Sequence, residues 1–481
     1  MTISMLISGA ECPAKSGRTF DRMDPVTGGV ASTAPAAGQA DVEIAVASAA
    51  KAFEAWSKTG PGTRRAILNK AADLLASKGA EFTELMIAET GATAGWAGFN
   101  VHLSANVLRE AAAMTTQIGG EVIPSDKPGN LSMAVKRPLG VCLAMAPWNA
   151  PVILGVRAIA MPIACGNTVV MKASEMCPGT HVLIGKVLAE AGLPEGVFNV
   201  ITNAPEDAAE VVNALIDHPA VRHINFTGST KVGRIIAQRA ASQLKPVLLE
   251  LGGKAPLIVL DDADVDAAVN AAVFGAFMNQ GQICMSTERL IVDDSIADEF
   301  VAKLTARASG LAAGDPRGNT PLGALVTPEA GAKMGEIIAD AIAKGGKVVA
   351  GGTHEGAIVQ ATVIDHVTPE MRIYSEESFG PVKPVIRAKG EAAALAIAND
   401  TAYGLSSAVF SRDIARAMRV AESVTSGICH INGPTVSDEA QMPFGGVSDS
   451  GYGRFGGKAS VDEFTMTRWI TIEDPHQHYP F

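Results

Sequence analysis

The segment VCLAMAPWNAPVILGVRAIAMPIACGNTVVMKASE, residues 141–175, decides the fold of this chain. It holds two short apolar runs, residues 141–146 and 167–172, that read as buried strands around a helical segment. Similar runs follow at 197–201, 221–226 and 247–251, and helical patterns at 181–191 and 208–216 separate them. Strands that alternate with helices predict βαβ units, hence a parallel sheet with right-handed crossovers. Ligands of such sheets bind beyond the carboxyl ends of the strands.

The regions on either side of this sheet differ in pattern. Residues 41–120 have the apolar period of helices. The polar stretch 119–130 contains glycine and proline and is either a domain boundary or an exposed ribbon. A second α/β region follows, with strands at 289–292, 381–386 and 405–410 and helices at 295–308 and 391–399. Residues 464–472 alternate like an edge strand that could pair with another subunit.

Composition limits the class of protein. A chain of 481 residues is expected to form two or three cores. The net charge of −11 argues against nucleic acid or an anionic membrane as a partner. The sequence has no secretory-signal pattern and no apolar run of about 18 residues. Its six cysteines lack disulfide or metal spacing, so we predict a cytoplasmic protein without a metal site.

Two residues are candidates for covalent chemistry. Cys284 follows Asn-Gln-Gly-Gln-Ile, where a glycine breaks an apolar helical run. Free backbone amides at such a turn would favour a thiolate and could hold an oxyanion, although a buried structural cysteine is the alternative. Glu250 ends an apolar strand before Gly252 and Gly253. Partial burial would raise its pKa toward that of a general base, and a salt bridge with Lys254 or with a neighbouring helix is the alternative.

Three further motifs follow strands of the first sheet. Asn149 in Pro-Trp-Asn could donate to an oxyanion or cap the next helix. The stretch GSTKVG, residues 228–233, precedes a helix predicted at 234–244 and could bind a phosphate at the helix N-terminus. Glu175 in KASE could accept from ribose hydroxyls and repel a 2′-phosphate, or cap the following helix.

Taken together, these segments resemble the aldehyde dehydrogenase superfamily over nearly the whole chain. The motifs, in the family's order, are PWN at 147–149, KASE at 172–175, FTGSTKVG at 226–233, LELGGK at 249–254, GQIC at 281–284, EESFGP at 376–381 and PFGGVSDSGYGRFGG at 443–457. The resemblance implies an α/β fold with a Rossmann-like parallel-sheet cofactor domain (1–118 and 140–249), a second α/β catalytic domain (250–440) and a small β oligomerisation ribbon (119–139 and 460–481). A homodimer or homotetramer is the implied assembly.

The resemblance also implies a mechanism with NAD as cofactor and a small aldehyde as substrate. Cys284 attacks the carbonyl, Asn149 and the Cys284 amide hold the oxyanion, and Glu250 activates the water that hydrolyses a thioester. The positions that match the family's cofactor-binding residues are Trp148, Lys172, Glu175, Gly228, Ser229, Gly233, Glu377 and Phe379.

The chain departs from many relatives at three positions. Ala158 stands where a lysine is common and Phe455 where an acid is common, so a proton exit through that pair is not expected. Ala150 replaces an aromatic residue after PWN and would leave room for a planar ring. Trp96 and Phe444 are the expected walls of that space.

These departures bear on the substrate. The segments GQICMSTER and MPFGG look most like benzaldehyde, vanillin and salicylaldehyde dehydrogenases. Arg157 could face a ring hydroxyl or carboxylate, or be an ordinary surface arginine. The alternatives are a dehydrogenase of aliphatic aldehydes or semialdehydes, with NAD or NADP as its cofactor, and a catalytically inactive structural member of the fold.

Overall fold

The computed structural model describes residues 1–481, which alternate between strands and helices along most of the chain. Helices α1 to α15 are, in order, Gln39–Trp56, Pro61–Ser77, Gly79–Thr90, Ala94–Met114, Pro151–Ala164, Pro178–Glu190, Ala208–Asp217, Thr230–Ser242, Val265–Phe277, Ala297–Ser309, Pro328–Ala343, Arg372–Ser375, Glu391–Asn399, Ile414–Ser423 and Gly457–Glu463. Strands β1 to β24 are Met5–Ile7, Ala10–Cys12, Thr19–Met23, Val30–Pro35, Gly120–Ile123, Leu131–Pro138, Val141–Met145, Thr168–Lys172, Phe198–Ile201, Val221–Thr227, Val247–Glu250, Pro256–Val259, Arg289–Asp293, Lys347–Ala350, His354–Glu355, Ile358–Val359, Thr362–Asp365, Val382–Ala388, Tyr403–Gly404, Ser406–Phe410, Ile428–Ile431, Val447–Ser448, Gly451–Tyr452 and Thr465–Ile472. No helix combines the length and apolar character needed to cross a lipid bilayer.

The first large sheet has eight strands in the order β2-β1-β9-β8-β7-β10-β11-β23. Its central strands from β9 to β11 are parallel, as the alternation of apolar runs and helices predicts. Strands β7, β8 and β9 are buried throughout, because helices cover both faces of the sheet. The chain order reverses between β7 and β10, which places a ligand crevice at the carboxyl ends of these two strands.

The second large sheet has seven strands in the order β14-β17-β18-β13-β12-β20-β21. All its neighbours from β17 to β21 are parallel. Helices α9 and α10 pack on one face, where Phe300 and Leu304 join a core with Leu257 and Leu290. Helices α13 and α14 pack on the other face through Ala394 and Val420. The chain therefore forms two α/β layers, which confirms the predicted α/β class.

A three-stranded antiparallel ribbon of order β24-β6-β5 stands apart from both sheets. Residues from Thr465 to Ile472 pair with Pro138 to Leu131 without interruption. The polar stretch at 119–130 is thus part of a ribbon, and residues 465–472 form an edge strand as predicted. One edge of β24 is covered by β6 of the same chain, and the other edge has no partner within the chain.

One predicted helix boundary is wrong in a way that matters for the site. The sequence predicts a glycine turn over 228–233 and a helix from 234, but α8 begins at Thr230. Ser229 caps this helix by accepting from the Val232 amide. Gly233 lies inside the first turn, where a Cβ would come within 2.5 Å of the Leu251 side chain. The glycine therefore allows close packing of the helix on the end of β11.

Candidate active site

The register of the first sheet brings the sequence motifs to one edge. Met145 at the end of β7 pairs with Lys172 on β8 and with Phe226 on β10. Thr227 pairs with Glu250 at the end of β11. The segments that follow these strands therefore leave the sheet side by side at the crevice.

Cys284 follows a strained turn that ends α9. Asn279, Gln280 and Gly281 all have positive φ, at 49°, 55° and 72°. Two successive non-glycine residues in this region are uncommon and must be held by their surroundings. The Asn279 side-chain amide donates to the Asn149 carbonyl at 2.9 Å, and that of Gln280 donates to the Ala324 carbonyl at 2.9 Å. These bonds fix the turn and leave Cys284 partly exposed.

The Asn149 side chain lies against the same turn. Its Nδ2 donates to the Gln282 carbonyl at 2.9 Å, and its own carbonyl accepts from Trp96 Nε1 at 2.9 Å. The helix-cap interpretation of Asn149 is wrong, because Ala150 is the N-cap of α5 and no side chain caps that helix. The amide is instead oriented beside the Cys284 segment, where it can serve an oxyanion.

Two cavities meet at Cys284, and Asn149 lines both of them. We call the first the crevice, because it lies at the sheet edge where β7 and β10 end. It is lined by the predicted cofactor residues Trp148, Gly228, Ser229, Glu377 and Phe379. We call the second the apolar cavity, of about 310 Å³, and it is lined by the predicted substrate residues Trp96, Ala150, Arg157 and Phe444. A thiol at this junction can act on a molecule in one cavity while a second molecule occupies the other.

Three predicted cofactor residues lie outside the lining of the crevice. Lys172 Nζ donates to Glu175 Oε1 at 2.5 Å, and Asn203 Nδ2 donates to the same oxygen at 3.0 Å. Glu175 does not cap the next helix, whose N-cap is Cys177 without a side-chain bond. Gly233 belongs to the first turn of α8. Lys172 and Glu175 thus form an ion pair at the end of β8, next to the strand that leads into the crevice.

Glu250 is buried without any hydrogen-bond partner. Only 2% of the residue is exposed, and neither carboxylate oxygen is paired. Burial raises its pKa well above the ordinary value, against the weaker opposing effect of Arg157. The salt-bridge alternative is wrong, because Lys254 donates to Glu288 instead. Glu250 lines neither cavity, so its carboxyl group has to move to act on a molecule bound there.

The expectation of a stabilised Cys284 thiolate is also wrong for this state of the protein. Burial, together with the charges of Glu250 and Glu377, raises the pKa of Cys284 to about 12. Burial raises the pKa of Glu377 to about 7. Backbone amides at the turn would lower the pKa of the Cys284 thiol, but desolvation and the nearby carboxylates raise it by more. The thiol is therefore protonated here and needs a base or an added positive charge before it can attack.

A buried cluster of charges that sequence reasoning missed holds the Glu377 loop. Glu288 accepts from Lys254 at 2.8 Å and from Lys383 at 2.7 Å, and the pair of cations lowers its pKa to about 2. Ser378 donates to both Glu288 oxygens, and Glu377 accepts from the Gly253 amide at 2.8 Å. The available signal was a lysine at 383 inside the apolar run 381–386, since an unpaired charge there would be costly.

Arg157 is buried rather than a surface residue. It forms an ion pair with Asp438, and its guanidinium carbon lies 4.5 Å from the centre of the Phe444 ring. Asp438 and Phe99, which sequence reasoning missed, also line the apolar cavity. The signal for Phe99 was its helical spacing from Trp96, on which it stacks at 5.5 Å between ring centres. The polar loop around Asp438 gave no such signal.

Two of the three departures from the family pattern occupy closed positions. Ala158 is buried, and its carbonyl accepts from Asn225 Nδ2 at 3.1 Å. Phe455 is buried and packs near Phe464, with ring centres 6.2 Å apart. Neither side chain can carry a proton away from Glu250.

Comparison with known proteins places the chain in a family. The model of the aldehyde dehydrogenase family matches residues 12–470. The vanillin dehydrogenase of Pseudomonas fluorescens is 60% identical over 481 residues and covers 100% of both chains. The structure of a salicylaldehyde dehydrogenase from Pseudomonas putida G7, complexed with salicylaldehyde, has a TM-score of 0.98 at 53% identity and covers 100% of both chains. An NADP-dependent enzyme from E. coli has a TM-score of 0.95 at 35% identity and covers 98% of both chains.

The chain therefore belongs to the aldehyde dehydrogenase family, and it is an aldehyde dehydrogenase that uses a nicotinamide cofactor.

Proposed function

We propose that this enzyme oxidises benzaldehyde-type aromatic aldehydes to carboxylic acids, with NAD as the cofactor. The observation that carries the proposal is the position of Cys284, at the junction of a crevice and an apolar cavity with aromatic walls. Its relatives include enzymes named for vanillin and salicylaldehyde, which are both hydroxylated benzaldehydes.

The crevice has the features that a dinucleotide needs. It lies where the strand order of the first sheet reverses, and Ser229 caps the N-terminus of α8 beside it. A Cβ on Gly228 would come within 2.4 Å of the Phe226 ring, so only glycine fits where the backbone enters the crevice. Trp148 and Phe379 meet edge to face across it at 5.7 Å. When bound, the nicotinamide ring supplies the hydride acceptor of the oxidation.

The residues around the crevice support separate roles in cofactor binding and catalysis for two parts of the chain. Residues 1–118 and 140–249 hold the cofactor, and residues 250–440 carry Cys284 and the Glu377 loop. Lys172 and Glu175 hold the adenosine ribose, Gly228, Ser229 and Gly233 form the pyrophosphate site, and Glu377 with Phe379 orients the nicotinamide ribose.

The chemical steps assigned to protein groups follow from the site. Cys284 Sγ loses its proton and attacks the carbonyl carbon of the aldehyde. Asn149 Nδ2 and the Cys284 amide donate to the oxygen that becomes negative. After oxidation the acyl group remains on Cys284 as a thioester. Glu250 then removes a proton from the attacking water, and the rise in its pKa makes its carboxylate a stronger base.

The apolar cavity favours a flat ring over a flexible chain. Trp96 and Phe444 supply aromatic contacts, each worth roughly 0.5–1.5 kcal/mol beyond burial, and Ala150 leaves the space free. A semialdehyde dehydrogenase would need a free cation for the substrate's carboxylate. Arg157 does not provide one, because Asp438 already neutralises it. The structure therefore gives the semialdehyde alternative less support.

The test is kcat/KM with benzaldehyde, 4-hydroxybenzaldehyde, hexanal, acetaldehyde and succinic semialdehyde. We expect the aromatic aldehydes to be the best substrates. Ala150→Phe should lower benzaldehyde oxidation by about tenfold or more and change acetaldehyde oxidation far less, because only the ring needs the space. Ala150→Gly is the matched control and should retain benzaldehyde oxidation. If hexanal or the semialdehyde is clearly best, the substrate proposal is wrong.

The ribbon supports a further proposal about assembly. Strand β24 has a free edge, and Val122, Trp469 and Ile472 are exposed by 70%, 75% and 57%. Large exposed apolar side chains beside a free strand edge are typical of an interface. We propose that the ribbon joins copies of this chain in a homodimer or homotetramer.

A further inference from the structure

Asp438 has a buried carboxylate oxygen that lacks a hydrogen-bond donor. The side chain is 8% exposed, its Oδ2 pairs with Arg157, and its Oδ1 is buried without a partner. An ionised oxygen in this situation is costly unless a donor reaches it. Asp438 lines the apolar cavity together with Cys284, so the missing donor can come from a molecule bound there.

The surroundings restrict which donor fits. Trp96, Phe99 and Phe444 make the cavity suited to an aromatic ring. The guanidinium of Arg157 donates to Asp438 through Nη2, which balances its charge, and it lies over the Phe444 ring. The Arg157–Asp438 pair is formally neutral and offers one free acceptor. A ring hydroxyl can donate to that acceptor, whereas a ring carboxylate would meet a like charge and lack a free cation.

We propose that Asp438 is a specificity residue that accepts a hydrogen bond from the phenolic hydroxyl of a hydroxybenzaldehyde. Arg157 acts as its positioning residue, because it holds Oδ2 and so leaves Oδ1 as the oxygen without a partner. This inference rests on the proposed function and names the subset of aromatic aldehydes that the site selects. It also replaces the expectation that Arg157 itself binds the ring substituent.

The experiment compares kcat/KM for benzaldehyde, the three hydroxybenzaldehyde isomers and 4-carboxybenzaldehyde. In the wild type we expect kcat/KM for at least one hydroxy isomer to exceed that for benzaldehyde by about tenfold, because a hydrogen bond to a charged acceptor gives a preference of that size. Asp438→Asn should reduce that ratio to near one, and because the ratio is taken against benzaldehyde it is independent of any change common to all substrates. The same substitution frees the charge of Arg157, so 4-carboxybenzaldehyde should improve relative to benzaldehyde.

Two controls keep the result interpretable. Glu439→Gln removes the same charge from the adjacent, exposed position and should leave every ratio unchanged. If Asp438→Asn is unstable because Arg157 is left unpaired, the double variant Arg157→Gln with Asp438→Asn removes both charges. It should also lose the hydroxyl preference, but without a gain for the carboxylated ring.

The outcomes separate this inference from the proposed function. Benzaldehyde could be a good substrate while Asp438→Asn and the double variant still prefer the hydroxy isomer over benzaldehyde. In that case Asp438 does not select the hydroxyl. A wild type that shows no hydroxyl preference at all overturns the inference as well. If all benzaldehydes are poor compared with hexanal, the proposed function itself fails.

Discussion

At the scale of single residues, burial raises the pKa of both Cys284 and Glu250. The raised pKa of the thiol means that attack requires a proton acceptor, and Glu250 lies close enough for its charge to contribute to that rise. The same carboxyl group is proposed to activate water in the second half of the reaction. Kinetics of a Glu250 variant can separate these two tasks.

Glu250→Gln should leave a burst of one NADH per site and then slow the steady state by about 10²–10⁴-fold, because deacylation loses its base. Stopped-flow absorbance of NADH measures both phases. Cys284→Ala should abolish burst and turnover, while Cys12→Ala, a change at another partly exposed cysteine, should affect neither. Loss of the burst in a folded Glu250→Gln protein would assign Glu250 to the deprotonation of Cys284 instead.

The burial of Glu250 also predicts how folding stability depends on pH. Its folded pKa is raised above the ordinary value of 4.5, so between these two values the folded state keeps a proton that the unfolded state has lost. This contribution to stability is therefore complete below pH 4.5 and is lost as the pH rises toward the folded pKa, by about 1.4 kcal/mol per pH unit.

Glu250→Gln removes that loss, because glutamine does not ionise. We expect the Tm of the variant to exceed that of the wild type by an amount that grows from pH 5 upward. Scanning calorimetry across pH 5–8.5 measures it. Glu355→Gln, a change at an exposed glutamate, is the matched control and should follow the wild type. Parallel pH profiles for wild type and Glu250→Gln would contradict the prediction.

The sequence predicted which residues form the site better than it predicted the pKa values of those residues. Cys284, Glu250 and Asn149 stand out because a broken helix, an acid in an apolar strand and a polar residue at a strand end are local signals. The raised pKa of Cys284 depends on Glu250 and Glu377, which are distant in sequence, so no local pattern could reveal it. Asp438 was missed for the same reason, since its partner Arg157 lies on α5.

At the scale of elements, the parallel strands at the centre of the first sheet were predictable because their apolar runs are buried on two sides. In the second sheet the strands at 289–293, 382–388 and 406–410 were predicted, and the other four were missed. The start of α8 was not predictable, since a glycine usually indicates a break in a helix. Gly233 lies within α8, and the close approach of the Leu251 side chain explains why a glycine is needed there. The ribbon was left undecided at 119–130, because two-sided exposure removes the alternation that identifies a strand.

The ribbon gives a prediction at this scale. Trp469→Lys should weaken the assembly, because a charge replaces an aromatic side chain that can bury roughly 150–250 Å². Light scattering coupled to gel filtration should detect a lower mass than for the wild type at the same concentration. Ile342→Lys alters an exposed apolar residue on α11 and should keep the wild-type mass. An unchanged mass for Trp469→Lys, or a monomeric wild type, would contradict the prediction.

At the scale of the whole molecule, the two large sheets meet at the crevice. Thr227 and Gly228 reach it from the first sheet, and Glu377 and Phe379 reach it from the loop before β18 of the second. Contacts away from the crevice also link the sheets, for example Gln280 Nε2 with the Gly91 and Ala324 carbonyls. A dinucleotide that binds both walls of the crevice should therefore stabilise the molecule as a unit.

This coupling makes thermal stability a measure of cofactor choice that does not depend on turnover. A ligand at 100 times its Kd stabilises the folded state by about 2.7 kcal/mol. We expect NAD to raise the Tm more than NADP at equal concentration, because the Glu175 carboxylate would repel a 2′-phosphate and lose a ribose hydrogen bond. A penalty of roughly 1–3 kcal/mol corresponds to about one to two decades in Kd.

Glu175→Gln should raise the affinity for NADP relative to NAD, since the repulsion is gone. Glu206→Gln, at an exposed position beyond the end of β9, is the control and should leave the preference unchanged. Differential scanning fluorimetry over a series of cofactor concentrations gives both affinities. Equal shifts with NAD and NADP in the wild type would show that Glu175 does not discriminate between them.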